Sequence, residues 1–162
     1  IPVRTGRKIN TPTLAKLANE VKNVAGVKDA AGNPAESARL MTMVPKSFEL
    51  ISGDDGLTLP LMAVGCTAVI GVATHWSGVD HQEMFKKWNA GDTAGARAVN
   101  ARLVESFAFE TGDDNPNPLP TKAMMNHLGL DVGDARLPMG PPPAGLAERA
   151  AQVMKNLVAA RG

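Results

Sequence analysis

Three short apolar runs each end in residues that could do chemistry. Lys28 closes the run VAGVK, Ser52-Gly53-Asp54-Asp55 ends and follows FELIS, and Ile70-Gly71 lies in the run AVIGVA. In parallel α/β folds the carboxyl ends of the strands meet at one edge of the sheet, and sites are built at that edge. The sequence therefore predicts that Lys28, Gly53 and Ile70 surround one site.

The lysine is the candidate nucleophile. A lysine amine with its ordinary pKa of about 10.4 is neutral in only about one molecule in 2500 at pH 7, and burial favours the neutral form. A neutral amine attacks a ketone to form a Schiff base, which is an electron sink for making or breaking carbon–carbon bonds. We therefore expect Lys28 to be buried and reactive. On composition alone, a solvated lysine at a strand end is the more frequent interpretation.

The other polar candidates have ordinary structural explanations. Ser52-Gly53-Asp54-Asp55 is typical of a turn that starts a helix, and two carboxylates fall short of the six or so oxygen ligands that a hard cation takes. A glycine such as Gly71 commonly relieves crowding. We expect neither a metal ion nor a cofactor.

The histidines are also interpreted as structural. His75 and Trp76 are predicted in a loop, as packing or surface residues. His81 and His127 fall in predicted helices, and neither has a partner at metal-ligand spacing.

These residues are positioned by alternating strands and helices. Strands are predicted at 24–28, 48–52 and 68–73 because these runs are short, apolar and rich in valine or isoleucine. Nearly continuous apolar strands in repeating β-α units of 20 to 24 residues indicate a parallel sheet, either doubly wound or part of a (β/α)8 barrel. No nucleotide-binding glycine motif follows any strand. Helices are predicted over about 11–23, 33–43, 57–65, 78–89, 92–110 and 121–128 and at the C-terminus, where an apolar stripe comprises Leu146, Ala150, Val153, Met154, Leu157 and Val158.

Composition excludes several classes of partner. The 162 residues carry a net charge of +1, and no basic run is interleaved with aromatic residues, so nucleic acid is not an expected partner. No apolar stretch approaches the length of about 20 residues that spans a bilayer, and we expect no membrane partner and a cytoplasmic protein. The single Cys66 excludes an internal disulfide.

Six sequence blocks, taken in order, carry a family resemblance. They are IPVRTG, GVKDA, SGDD, AVIGV, NPNPLPTK and LGLDVGDARLP. This order and spacing resemble the dihydrodipicolinate synthase family, also called 4-hydroxy-tetrahydrodipicolinate synthase. The resemblance runs along the whole chain but covers only about the second half of a typical family member. By that resemblance, the first four barrel strands and the start of the fifth are not in this sequence.

The resemblance implies a fold and an assembly. Residues 1–91 would be the second-half units of a (β/α)8 TIM barrel, and residues 92–162 would be a C-terminal helical extension. Three to four parallel strands leave both sheet edges unpaired, so a partner is expected, either the missing half or a second copy of the chain. The family implies a homo-oligomer.

The resemblance also assigns roles to individual residues. Lys28 matches the Schiff-base lysine that condenses with pyruvate, and Arg4 matches the arginine that binds the carboxylate of aspartate semialdehyde. Gly53 and Ile70 match positions whose backbone lies beside the bound pyruvate. The threonine pair and the proton-shuttling tyrosine of the family fall outside this sequence, which contains no tyrosine. Val3 stands where the family usually has a small residue.

Alternatives remain open at this point. A different pyruvate-dependent aldolase, such as an N-acetylneuraminate lyase or a sugar-acid aldolase, would share the lysine, although the Arg4-Thr5-Gly6 turn and the SGDD block favour the synthase. The chain could also be a catalytically silent structural fragment. A metal-dependent barrel that uses Asp54 and Asp55 is the least favoured alternative.

Overall fold

A computed structural model of the chain describes residues 5–162. These residues separate into two compact units, one ending at Gly71 and the other running from Val72 to Gly162. The predicted boundary at residues 91/92 separates the barrel units from the C-terminal helical extension. It divides the chain by barrel topology, whereas the two units are defined by compactness, so this boundary stays a prediction. The described elements are, in chain order, α1 (Thr11–Glu20), β1 (Gly26–Asp29), α2 (Pro34–Met41), β2 (Glu49–Ser52), α3 (Thr58–Met62), β3 (Cys66–Val69), α4 (Thr74–Asn89), α5 (Thr93–Phe109), α6 (Leu119–His127) and α7 (Leu146–Ala159).

The first unit contains a parallel three-stranded sheet in the order β1-β2-β3. All three predicted strands are present, each joined to the next by a helix. Within the described residues, β1 and β3 pair only with β2, so each has one edge without a neighbouring strand.

The two faces of this sheet differ in their covering. Val27 of β1 packs against a cluster from α1, α2 and the start of β2, formed by Ala15, Ala18, Leu40 and Phe48. In β2, Leu50 and Ser52 are fully buried while Glu49 is exposed and Ile51 is half-buried. Because neighbouring strand residues point to opposite faces, Lys28 and its paired residue Ile51 lie on the face away from the helices.

Asparagine side chains start the first two helices. The side-chain oxygen of Asn10 accepts a hydrogen bond from the Thr13 N–H, with Pro12 in the first turn of α1. The cap of α1 is thus Asn10, directly before its first residue, Thr11. Asn33 caps α2 by accepting from the Glu36 N–H at 3.2 Å, as its sequence pattern predicts.

The prediction was wrong at the end of the third strand. β3 ends at Val69 rather than at residue 73, and a helical turn at residues 74–76 precedes a kink at Ser77 (φ −118°, ψ 20°), after which the main part of α4 starts at residue 78, as predicted. His75 and Trp76 therefore lie in a helix, not in a loop. The apolar run continues past the strand because Ala73 and Trp76 are buried in the second unit, where the Trp76 indole N–H donates to the Ser106 hydroxyl at 3.1 Å.

The second unit is a packed group of helices. Its core includes Met84 of α4, Val99 and Leu103 of α5, Met124 of α6 and Val153 of α7. The predicted stripe of α7 is buried at Leu146, Ala150, Val153 and Leu157, whereas Val158 is 52% exposed and lies off the stripe. No helix among the described residues is long and apolar enough to cross a membrane.

A buried carboxylate ties the chain terminus to this helical unit. Asp80 of α4 is 1% exposed, and Arg161 donates to its two oxygens at 3.1 and 2.6 Å. Arg102 of α5 donates a third hydrogen bond at 3.0 Å. Desolvation raises the pKa of the Asp80 carboxyl, but the hydrogen bonds and charges of Arg161 and Arg102 outweigh it, and the pKa is lowered overall.

Arg161→Ala is expected to destabilise the folded chain by about 2 kcal/mol, because it removes two hydrogen bonds from a buried charge. Urea unfolding measures this change, with Arg97→Ala as the control, since Arg97 is an exposed arginine of α5. Because the pKa of Asp80 is lower when folded, the stabilisation is present above about pH 4 and is lost as the pH falls through the folded pKa. An equal effect of both variants, or a difference that grows in acid, would contradict this account.

Candidate active site

Three of the four predicted site residues lie at one edge of the sheet. Lys28 is the third residue of β1, Gly53 follows β2, and Ile70 follows β3. Backbone hydrogen bonds hold this edge together: the Gly53 N–H donates to the Asp29 carbonyl, and the Ile70 N–H donates to the Ser52 carbonyl, both at 2.8 Å. The fourth residue, Arg4, lies outside the described residues.

The lysine side chain passes directly over Gly53. A Cβ atom built on Gly53 would lie 3.0 Å from Lys28 Cγ, 3.0 Å from Lys28 Cε and 3.0 Å from the Ala30 Cβ. These three separations are shorter than ordinary van der Waals contact. The absence of a side chain at residue 53 therefore makes room for the aliphatic part of Lys28.

The expectation that Lys28 is buried was wrong for the chain as described. Its side chain is exposed, although its strand neighbours Val27 and Asp29 are half-buried. The reason is the one-sided covering of the sheet: the helices pack on the opposite face, and no described element covers the face that carries Lys28. The amine is thus placed at the predicted edge but open to solvent.

Asp54, Asp55 and Gly71, which also follow the second and third strands, make contacts that support the local structure. Asp54 accepts a hydrogen bond from the Leu57 N–H at 3.1 Å, which supports the turn before α3. Asp55 is buried, and a Cβ on Gly71 would lie 2.1 Å from its Oδ1, so Gly71 makes room for this carboxylate. Ile70 is 52% exposed. Among residues 5–162, no three His, Cys, Asp or Glu side chains are placed to hold a metal ion.

A pocket of about 280 Å³ opens beside the end of β1. Its wall combines apolar residues of α1 and α2 with charged and hydroxyl groups. Among the lining residues are Lys8, Leu14, Lys28, Asp29, Glu36 and Ser37.

Two polar contacts in this pocket were not predicted from the sequence. Lys8 forms an ion pair with Glu36. The Ser37 hydroxyl donates to the Asp29 carboxylate at 2.6 Å. Each contact joins residues that are distant in sequence or in different elements. The sequence gives one indication of the hydrogen bond between Ser37 and Asp29. An aspartate directly follows Lys28 and lies shortly before the start of a helix at Asn33-Pro34.

Sequence comparisons identify relatives of the chain. The model of the dihydrodipicolinate synthetase family matches residues 1–159. A 4-hydroxy-tetrahydrodipicolinate synthase from Nostoc sp. is 36% identical over 157 residues, which are 97% of this chain and 52% of that protein. One from Moorella thermoacetica is 41% identical over 141 residues, which are 86% of this chain and 47% of that protein. The chain thus spans about half the length of the curated relatives it matches.

The solved structures that superpose on the chain are also dihydrodipicolinate synthases. A dihydrodipicolinate synthase from Cyanidioschyzon merolae, crystallised with lysine bound, superposes with a TM-score of 0.91 at 34% identity, over 98% of this chain and 53% of that one. The enzyme from Bacillus anthracis gives a TM-score of 0.88 at 34% identity, over 95% and 52%. The predicted fold, part of a (β/α)8 barrel, is confirmed. The chain belongs to the dihydrodipicolinate synthetase family.

Proposed function

We propose that this chain supplies the Schiff-base part of a pyruvate-dependent synthase. Lys28 condenses with pyruvate, and the adduct then attacks aspartate semialdehyde, a step of lysine and diaminopimelate biosynthesis in the cytoplasm. The observation that carries the proposal is the position of Lys28. It is a lysine at the carboxyl edge of a parallel sheet, on the face away from the helices, with its stem against Gly53. Family membership supports the assignment of substrates.

The proposed chemistry begins at the ketone of pyruvate. The Lys28 amine adds to the carbonyl carbon, and loss of water leaves an imine. The protonated imine draws electrons from the neighbouring methyl group, which loses a proton and becomes a nucleophilic enamine carbon. This carbon forms a bond to the aldehyde carbon of the second substrate, and the aldehyde oxygen takes up a proton. The amino group of that substrate then adds to the imine carbon and expels the lysine amine, which frees Lys28 and closes a ring.

Other residues of the chain have supporting roles in this proposal. The backbone at Gly53 and Ile70 lies beside pyruvate, and Arg4 pairs with the carboxylate of the aldehyde substrate, for which a guanidinium offers two parallel donors. The chain contains no tyrosine, so a tyrosine that moves protons would have to come from a complementary part of the barrel.

The complementary part is supported by the sheet itself. The outer edges of β1 and β3 lack a neighbouring strand among the described residues, and unpaired edges are normally covered. The relatives are about twice as long as this chain. We assign the covering role to the other half of a barrel, within a homo-oligomer of the kind the family resemblance implies.

A reconstitution assay tests this proposal. The chain is mixed with the half of the Nostoc relative that it does not match, and this mixture is called the reconstituted pair. Consumption of pyruvate is followed with and without aspartate semialdehyde, for the chain alone and for the pair. The proposal expects consumption that requires both substrates. Release of pyruvate from N-acetylneuraminate would instead favour the lyase, and inactivity with every substrate would favour a silent fragment.

Gly53→Ala is expected to slow formation of the pyruvate adduct on Lys28 by about tenfold, because the new methyl group displaces the lysine stem from its position. Gly78→Ala is the matched control, since a Cβ at Gly78 meets nothing within 4 Å. Adduct formation is measured by borohydride reduction in the reconstituted pair. An unchanged rate in Gly53→Ala would contradict the close approach as a functional feature.

Arg4→Ala is expected to lower kcat/KM for aspartate semialdehyde by about a hundredfold while pyruvate adduct formation changes little. Only the aldehyde loses a charged partner, and a charge-assisted pair contributes a few kcal/mol. Steady-state kinetics, with the concentration of each substrate varied separately, measure the loss of kcat/KM for aspartate semialdehyde and for pyruvate. Arg7→Ala is the control, because it removes a nearby exposed arginine. Equal losses for both substrates would make Arg4 a structural residue.

A further inference from the structure

Asp29, the residue after Lys28, accepts hydrogen bonds through both its backbone carbonyl and its side chain. The backbone carbonyl of Asp29 accepts the Gly53 N–H at 2.8 Å, which ties it to the end of β2. Its carboxylate accepts the Ala31 N–H at 2.8 Å and the Ser37 hydroxyl at 2.6 Å. One residue therefore connects the end of β1 both to the neighbouring strand and to α2.

The hydrogen bond from the Ser37 hydroxyl of α2 to the Asp29 carboxylate is a strong one. Ser37 is only 2% exposed, so its hydroxyl needs a protein partner, and a short hydrogen bond to a carboxylate is stronger than one between neutral groups. The Asn33 carbonyl, 3.2 Å away, is the more distant alternative acceptor. The shorter contact makes Asp29 the preferred partner of the Ser37 hydroxyl.

The geometry keeps Asp29 away from the reacting atoms. Neighbouring strand residues face opposite ways, so the Asp29 side chain points toward the helices while Lys28 points to the open face. Any influence on the amine passes through the backbone. That path is short, because Asp29 directly follows Lys28 and its carbonyl holds Gly53, over which the Lys28 stem passes.

We infer that the hydrogen bond between Ser37 and Asp29 positions Lys28 for attack on the ketone. The inference rests on the proposed function and adds to it two positioning residues that do not touch the substrate. Loss of the bond releases the Asp29 carboxylate from α2 and lets the end of β1 shift, and this shift changes the positions of both Gly53 and the lysine stem. A misplacement of about 1 Å can slow a reaction by as much as a hundredfold.

The test compares two reactions of the same amine. Both reactions need the neutral form of the amine. Trapping by borohydride with pyruvate also requires a positioned amine, whereas acetylation by acetic anhydride requires only that the amine is exposed. Both rates at Lys28 are measured by peptide mass spectrometry, on the 162-residue chain alone and in the reconstituted pair. The variants are Ser37→Ala and Asp29→Ala. Thr42→Ala is the control, because the Thr42 hydroxyl donates at 2.8 Å to the Arg39 carbonyl of α2, a hydrogen bond that joins α2 to its own end and not to β1.

The expected result is a fall of about tenfold in the ratio of trapping to acetylation in both test variants, and no change in Thr42→Ala. Ser37→Ala is decisive if Asp29→Ala unfolds, because alanine is well tolerated in helices. A ratio within twofold of wild type in Ser37→Ala, or an equal fall in Thr42→Ala, would overturn the inference but leave the proposed function intact. If the wild-type chain gives no pyruvate-dependent adduct at Lys28 in either state, the proposed function fails and the inference fails with it.

Discussion

Lys28→Ala is expected to reduce turnover of pyruvate and aspartate semialdehyde in the reconstituted pair by about a thousandfold or more, because removal of a covalent nucleophile removes the reaction path itself. The fold should remain, since the Lys28 side chain is exposed and contributes no core packing. Steady-state rates measure the loss, and thermal unfolding of the variant checks that the chain is still folded.

Two further variants sharpen this prediction. Lys28→Arg keeps the positive charge but cannot form a Schiff base with a ketone, so it should be as inactive as alanine. Lys22→Ala removes an exposed lysine just before β1 and should retain full activity. If Lys28→Arg kept a substantial fraction of the activity, the charge rather than the covalent step would be what the reaction needs.

The second large effect is expected in the assembly of the chain. Alone, it should self-associate, because among residues 5–162 β1 and β3 each have one unpaired edge and no element covers the face that carries Lys28. In the reconstituted pair, these edges should gain partners, and the pair should trap pyruvate at least about tenfold faster as the site closes. Light scattering with size-exclusion chromatography measures the assembly.

Hydrogen exchange provides an independent reading of the same assembly. Amides in β1 and β3 should exchange more slowly in the reconstituted pair than in the chain alone, while β2, already paired on both sides, should change least. A monodisperse monomer of 16.9 kDa with no change on mixing would contradict the predicted need for a partner.

Much of the fold was predictable because the strands are short apolar runs separated by helices, and α1 and α2 each start at an asparagine cap. The β-α alternation was enough to predict the parallel sheet and the edge at which Lys28, Gly53 and Ile70 come together. The end of β3 was not predictable from the run AVIGVA. Its last residues are apolar because Ala73 packs in the helical unit, which a local pattern cannot distinguish from a longer strand.

The positions of three candidate site residues were predictable from the sequence, and their environment was less so. The burial expected for Lys28 followed from apolar neighbours in sequence, but in the structure those neighbours bury the opposite face of the strand. The passage of the lysine stem over Gly53 and the bond from Ser37 to Asp29 depend on how β2 and α2 pack beside β1. Such contacts are set by tertiary structure, and no local spacing rule reports them.

Mass spectrometry after borohydride reduction tests the central claim most directly. The reconstituted pair is reduced with and without pyruvate, digested, and searched for the mass of the reduced adduct. The account predicts a stable adduct on the peptide that contains GVKDAAGN, present only with pyruvate and absent in Lys28→Ala. Lys22, Lys46 and Lys86 are internal controls in the same digest. Adduct distributed over these lysines as readily as over Lys28 would contradict the claim and leave Lys28 as an ordinary exposed residue at a strand end.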